Sequence, residues 1–201
     1  ITAFLIEKGM EGFSIGQKID KMGLRGSPTC ELVFEDCFVP EENVMGPLNG
    51  GTGVLMSGLD YERVVLAGMQ IGIMQACLDT VIPYVRERKQ FGKSIAEFQG
   101  MEFQYAQMAT EIEAAKLLVY NAARRKDAGQ SFLKEAAIAK LYSSRVAERV
   151  SSVAIVLYGG YGYLTDYPVE NFWRDSTIGA IYEGTSNMQL QTIAKLIMSG
   201  K

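Results

Sequence analysis

The sequence contains no histidine, the one side chain whose ordinary titration falls between pH 5 and 8. Proton transfer near neutrality must therefore fall to a carboxylate, a lysine, a tyrosine or a thiol. Cysteine is scarce: Cys30, Cys37 and Cys77 form an odd set with no C-x-x-C spacing. Without histidine beside them they argue against a zinc site and read as reduced thiols, suited to the cytosol or the mitochondrial matrix. No uninterrupted apolar run approaches the roughly 18 residues of a membrane span, and no signal or transit segment is recognisable. A net charge of −3 argues against a general binder of nucleic acid or anionic membranes. What remains is ordinary for a soluble globular protein, with 48% hydrophobic and 21% charged residues. A length of 201 residues allows one sizeable core, or a small piece of one domain joined to a larger second one.

The character of the chain changes near residues 46–53. Before it, 2–7, 13–19 and 30–39 are short runs rich in strand-forming residues, separated by Gly9, Gly12, Gly23, Gly26 and Pro28. They predict part of an antiparallel β domain over residues 1–46. Because Ile1 to Ile6 already reads like the inside of a strand, the chain is expected to be a fragment lacking its N-terminal portion. Residues 47–201 then predict an antiparallel bundle of long helices joined by short turns. The expected helices are 53–87, 96–128, 131–157, 169–176 and 185–199. Pro83 should bend the first, Ile112, Ala115, Leu118 and Val119 mark the buried face of the second, and Gly129 suits its exit. Ser131 is the expected N-cap of the third.

Four stretches could carry chemistry. Arg86 to Lys93 gathers four cations at a helix end, which either complements the helix dipole or clamps a phosphate through the fork of Arg88. Gly159-Gly160-Tyr161-Gly162-Tyr163 follows a helix with no preceding strand, so it is not a dinucleotide fingerprint. It reads either as a helix exit needing positive φ or as backbone approaching a ligand. Glu183, in Tyr182-Glu183-Gly184-Thr185-Ser186, is either a surface acid at a helix start, which Thr185 and Ser186 would cap, or a desolvated base. Glu62 precedes Arg63, but adjacent helical residues do not face each other, so its partner should lie on another helix.

In order, residues 23–46 (GLRGSPTCELVFEDCFVPEENVMG), 57–68 (SGLDYERVVLAG), 84–99 (YVRERKQFGKSIAEFQ), 158–175 (YGGYGYLTDYPVENFWRD) and 181–187 (IYEGTSN) closely resemble the acyl-CoA dehydrogenase family. The resemblance spans essentially the whole chain. Members carry an N-terminal helical domain, a middle β domain and a C-terminal four-helix bundle. The resemblance implies the tail of the β domain for 1–46 and the whole bundle for 47–201.

It also implies FAD as cofactor. Arg88, Lys89 and Gln90 match the segment that meets the FAD pyrophosphate of a neighbouring subunit, and Phe91, Phe98 and Gln99 match further FAD contacts. Val156, Leu157, Tyr158, Gly159 and Gly160 match the loop at the adenosine side, with Val156 standing where many relatives carry glutamine. Thr185 and Asn187 match FAD contacts beyond the Glu183 turn, and Asn187 is shorter than the residue often found there. Asp60, Tyr61, Glu62 and Arg63 align with the lining of the acyl-CoA site, and Gly184 sits beside the thioester.

The implied reaction is α,β-dehydrogenation of a short branched-chain acyl-CoA. A carboxylate takes the α-proton while the β-hydrogen leaves as hydride to the flavin. Most members use the glutamate matching Glu183, whereas isovaleryl-CoA dehydrogenases use the one matching Glu62. This chain has both, and the intact aromatic-Glu-Gly-Thr context favours Glu183. Two anions in one pocket would repel, leaving one protonated or turned away. An acyl-CoA oxidase and a non-enzymatic helical assembly module are the alternative readings. The resemblance further implies a homotetramer, electron-transferring flavoprotein as acceptor, and a location in the mitochondrial matrix of a eukaryote or the cytoplasm of a bacterium.

Overall fold

A computed structural model describes residues 1–200. The chain divides into two compact units, Ile1–Leu59 and Asp60 onward.

In the first unit, β1 (Ala3–Phe4) pairs antiparallel with β4 (Val44–Met45), and β2 (Phe13–Ile19) with β3 (Thr29–Phe34). A register shift between Ile15 and Lys18 marks a bulge in the second pair. Phe13 stacks on Phe34 with centroids 5.1 Å apart. Asn43 staples the first pair: its backbone carbonyl accepts from the Leu5 N–H at 2.8 Å, and its side chain donates to the Leu5 carbonyl at 3.0 Å. The predicted strands 2–7 and 30–39 are shorter than expected, because only the paired residues complete a ladder.

The second unit is helical. Helix α1 (Gly51–Glu87) enters it at Asp60 and continues through Pro83. A two-residue hairpin, β5 (Lys89–Gln90) and β6 (Lys93–Ser94), follows. Helix α2 (Gln99–Asp127) comes next, then α3 (Leu133–Tyr158), α4 (Val169–Ser176) and α5 (Ser186–Met198).

Two core clusters reveal how the long helices run. Val64 and Ala67 of α1 meet Val119 and Ala122 of α2 and Ala136 and Ala139 of α3. Met74, Cys77, Val81 and Val85 meet Met108, Ile112 and Ala115, together with Val146, Val150 and Leu157. Residue numbers rise along α1 and α3 while they fall along α2, which defines an antiparallel bundle. Helix α5 packs on α3 as the fourth long member. The buried face of α3 is built largely from Ala136, Ala139, Ser143, Ser144, Ala147, Ser151 and Ala154. Such small side chains let neighbouring elements approach closely, and α2, α4, α5 and the turn at 177–180 all pack against it. By length and composition alone α1 would qualify for a membrane crossing, with a mean hydropathy of 1.5 over 18 residues. The apolar residues just named instead line the bundle core.

Several helix ends differ from expectation. Ser131 does not cap α3: the N-cap is Phe132, without a side-chain cap. The second helix begins at Gln99 rather than Ala96, because Ser94 and Glu97 close a capping box around a short 3₁₀ turn, Ile95–Glu97. Thr185 is the N-cap residue of α5, yet neither its hydroxyl nor any other side chain caps that end. At the far end of α2, Gly129 (φ 66°) forms the expected exit. Its N–H bonds the Lys126 carbonyl and the Gln130 N–H bonds that of Arg125, the Schellman pattern.

Gly162 lies so close to the end of α3 that an added Cβ would stand 2.4 Å from the Ile155 carbonyl oxygen. Gly162→Ala should therefore destabilise the fold by about 1–3 kcal/mol, as overpacking does. Gly160→Ala, with nothing within 4 Å, should change stability little. Urea unfolding followed by circular dichroism compares the two.

Candidate functional site

Helix α1 presents polar residues on its buried stripe. Arg63, Val64, Ala67, Gln70 and Met74 recur at helical spacing, and Arg63 and Gln70 are as buried as the apolar residues among them. Arg63 donates to Asp60 one turn earlier at 3.0 Å. Burial lifts the Asp60 carboxyl above its ordinary range, although Arg63 acts in the opposite sense. Gln70 lies against Gly179, where an added Cβ would meet its amide nitrogen at 2.8 Å, and its amide reaches the Tyr182 hydroxyl at 3.5 Å.

Helix α3 adds Lys140, only 1% exposed. Its ammonium donates to the Gly184 carbonyl at 2.7 Å. Ser144, one turn on, holds the Gly179 carbonyl at 2.8 Å. From α5, the fully buried Gln189 donates to the Glu183 carbonyl at 3.1 Å and the Gly184 carbonyl at 2.9 Å. These contacts grip a turn in which Glu183 (φ 51°) and Gly184 (φ 89°) are both left-handed. Glycine adopts that conformation freely, whereas a glutamate does so at a steric cost of roughly 1–2 kcal/mol. Strain of this kind persists where surrounding contacts over-determine it.

The turn brings the two glutamates together. The Glu183 carboxyl is raised above its ordinary value, first by burial, then by a hydrogen bond with Glu62 and by the charge of Glu62. Lys140 and, more weakly, Arg63 oppose the shift. No ion pair of Glu62 with a lysine or arginine occurs among the described residues, and its charge acts on Glu183. Three buried polar atoms around this turn, Arg63 Nε, Gln70 Oε1 and Gln189 Oε1, have no hydrogen-bond partner among the described residues. Such orphans are uncommon in packed interiors and tend to gather where polar ligands or water bind.

A second cluster forms at the other end of α1. Tyr84, Arg88, Gln90, Ile95, Met101 and residues 156–161 line a cavity of about 480 Å³. Tyr84 stacks on Tyr158 at 3.9 Å and donates to its carbonyl at 3.1 Å, and both residues line the cavity. The Arg88 guanidinium stands 5.2 Å over the Tyr161 ring. Gly159 (φ 61°) ends α3, so the glycine run is both a positive-φ helix exit and part of the cavity wall. In the neighbouring hairpin Phe91 (φ 51°) and Gly92 (φ 81°) make a left-handed two-residue turn. It leaves Phe91 92% exposed, with its ring centroid 6.4 Å from that of Phe98 in an edge-on arrangement.

The site residues expected from sequence therefore fall into groups. Asp60, Glu62, Arg63, Glu183 and Gly184 gather at the turn, with Tyr61 exposed beside them under the Lys126 ammonium. Arg88, Gln90, Val156, Leu157, Tyr158, Gly159 and Gly160 share the cavity. Lys89 and Phe91 belong to the hairpin, while Phe98 and Gln99 begin α2. Thr185 and Asn187 are exposed at the start of α5 and line neither cluster. Sequence reasoning missed Lys140, Gln70 and Gln189. A signal for Lys140 was present, since Ala136, Lys140, Ser143 and Ala147 follow helical spacing and place a cation on a core stripe.

Residues 49–198 match the family model for the acyl-CoA dehydrogenase C-terminal domain. The chain belongs to the acyl-CoA dehydrogenase family. Among curated relatives, it is 50% identical over 198 residues to a probable short/branched chain specific acyl-CoA dehydrogenase of Dictyostelium discoideum, covering 98% of this chain and 48% of that protein. It is also 50% identical over 195 residues to the mitochondrial isovaleryl-CoA dehydrogenase of Solanum tuberosum, covering 97% and 47%. The chain thus spans about half the length of the curated relatives it matches. Among solved structures, butyryl-CoA dehydrogenase from Megasphaera elsdenii superposes with a TM-score of 0.96 at 44% identity, covering 98% of this chain and 51% of that one.

Burial pushes the Lys140 ammonium down from 10.5 to about 8, with Arg63 adding to the shift and Glu183 opposing it. Between those two values the unfolded chain binds more protons at this residue, so stability contributed by it rises with pH through that window. Wild type should gain stability relative to Lys140→Met as pH rises from about 8 toward 10.5, measured by urea unfolding at each pH.

Proposed function

We propose that this chain contributes the base and part of the cofactor site to an FAD-dependent dehydrogenase of short branched-chain acyl-CoA thioesters. The observation that supports it most is the strained turn that sets Glu183 against Glu62 above a buried lysine, in a chain without histidine. Proton abstraction next to a thioester carbonyl needs a carboxylate of elevated basicity in a water-poor setting. Burial and a like charge supply that basicity here, as in other tuned carboxylates.

In this reading Glu183 takes the α-proton, while the neighbouring Glu62 helps to raise its basicity. The Glu183 backbone N–H is offered to the thioester carbonyl and steadies the charge that develops there. Asp60, Tyr61, Arg63 and Gly184 line the acyl-CoA site.

The residues at the other end of α1 fit FAD. A guanidinium suited to a pyrophosphate and an open glycine backbone meet in one cavity, with exposed Phe91 beside it to cover a flat ring. Arg88, Lys89, Gln90, Phe91, Phe98, Gln99, Val156, Leu157, Tyr158, Gly159 and Gly160 would hold the FAD of a neighbouring subunit, while Thr185 and Asn187 would meet a second FAD at this chain's own turn. When bound, FAD supplies the acceptor for the substrate's β-hydrogen.

Along α1, the 26 residues from Glu62 to Arg88 rise about 39 Å at 1.5 Å each. That separation exceeds the reach of one dinucleotide and supports a homotetramer in which the Arg88 cavity serves a neighbour's active site. Electron-transferring flavoprotein is the proposed acceptor. The mitochondrial matrix is the proposed location in a eukaryote, and the cytoplasm in a bacterium.

Glu183→Gln in the FAD-loaded enzyme should slow flavin reduction by acyl-CoA on the order of 10²–10⁴-fold, the usual loss on removing a general base. Glu62→Gln removes the charge and hydrogen bond that raise the Glu183 carboxyl. It should therefore preserve the reaction and move its acid limb to lower pH. Stopped-flow bleaching of the flavin reads both. If Glu62→Gln alone abolishes bleaching, the roles of the two acids are reversed.

A further inference from the structure

We infer that Lys140 is a positioning residue for Glu183: its ammonium holds the Gly184 carbonyl from beneath and sets a positive charge at the Glu183 turn. This rests on Glu183 being the base, as proposed above. Packing alone does not call for a lysine here. The site is 1% exposed on an alanine- and serine-rich face, where burying a cation is costly and an apolar chain of similar length would fill the space. Hydrogen bonding alone does not call for it either, because Gln189 already donates to the same carbonyl at 2.9 Å. What Lys140 adds is charge.

That charge has a definite setting. From α1 come Glu62, Asp60 and Arg63; from the turn come Glu183 and the Tyr182 hydroxyl; α5 contributes the uncharged Gln189. Arg63 is committed to Asp60 at 3.0 Å, and Lys140 is the stronger of the two cations acting on Glu183. Its side chain therefore limits how far burial and Glu62 can raise the Glu183 carboxyl. Without it, the Glu183 carboxyl would hold its proton to higher pH and less of the base would be free. The same ammonium secures the carbonyl on the far side of the left-handed Gly184, so it fixes the direction of the turn as well as its charge.

The test compares Lys140→Met, which removes both donor and charge, with Lys140→Gln, which keeps a donor without the charge. Two readouts are taken on the purified enzyme. One is the infrared carboxyl band of Glu183 across a pH titration, isolated by difference against Glu183→Gln. The other is the pH profile of flavin reduction by acyl-CoA. Both variants should move the Glu183 titration to higher pH than wild type. Both should shift the acid limb of the rate profile the same way. Lys140→Met should in addition lose on the order of 10²-fold in kcat with KM little changed, as a displaced catalytic group does.

Should Lys140→Met fail to fold, Lys140→Gln decides the charge question. Folded variants whose Glu183 titration and rate profile both coincide with wild type would overturn the inference. The infrared titration needs no turnover. An enzyme inactive toward acyl-CoA would therefore sink the proposed reaction while still reporting whether Lys140 governs Glu183.

Discussion

A buried ammonium has to find an acceptor, and much of the site follows from where Lys140 finds one. The Gly184 carbonyl reaches it from a turn through two left-handed residues, and at that turn the Glu183 carboxyl comes under the influence of Glu62. Close approach of the surrounding elements depends on small side chains along α3, which let the turn at 177–180 sit down on Ser144. Gly179 leaves room there for Gln70. The elements that hold the turn are thus three different helices, each contributing one or two polar side chains to an otherwise apolar bundle. Rigid helices position such groups more accurately than loops do.

The opposite end of α1 is organised by different physics. There the tight hairpin, the stacked tyrosines and the glycine exit of α3 form an open cavity with a single guanidinium at its rim. Positive charge and exposed backbone suit an anionic, flat-ringed ligand, whereas the Glu183 turn suits proton chemistry. One long helix spaces these two environments too far apart to act on one bound molecule. Under the proposed function, this spacing explains why a bundle of this kind works as an assembly, with each chain completing a neighbour's site.

The order of helices, their approximate lengths and the buried face of α2 were legible because apolar periodicity and glycine exits are local signals. Gly129 shows this well, since its positive φ follows from its place after the last helical turn. Helix starts were less legible. Phe132 precedes α3 although Ser131 was the better capping residue, and Thr185 begins α5 without using its hydroxyl. In each case packing against the bundle, rather than a cap, sets where the helix begins. Strand lengths were overestimated because a run of β-formers does not reveal where its ladder partner stops.

For chemistry, the sequence by itself determined the menu: no histidine, two glutamates in recognisable settings, an arginine-rich helix end and a glycine run. Their order along the chain was enough to indicate the family. Only the tertiary structure decided that two glutamates 121 positions apart act on one another. It also decided that a lysine from a third helix lies beneath them and that the arginine and glycine segments line a separate cavity. The reason is physical. Basicity depends on burial and neighbouring charge, and both are fixed by how helices pack, which the identity of a single residue does not contain.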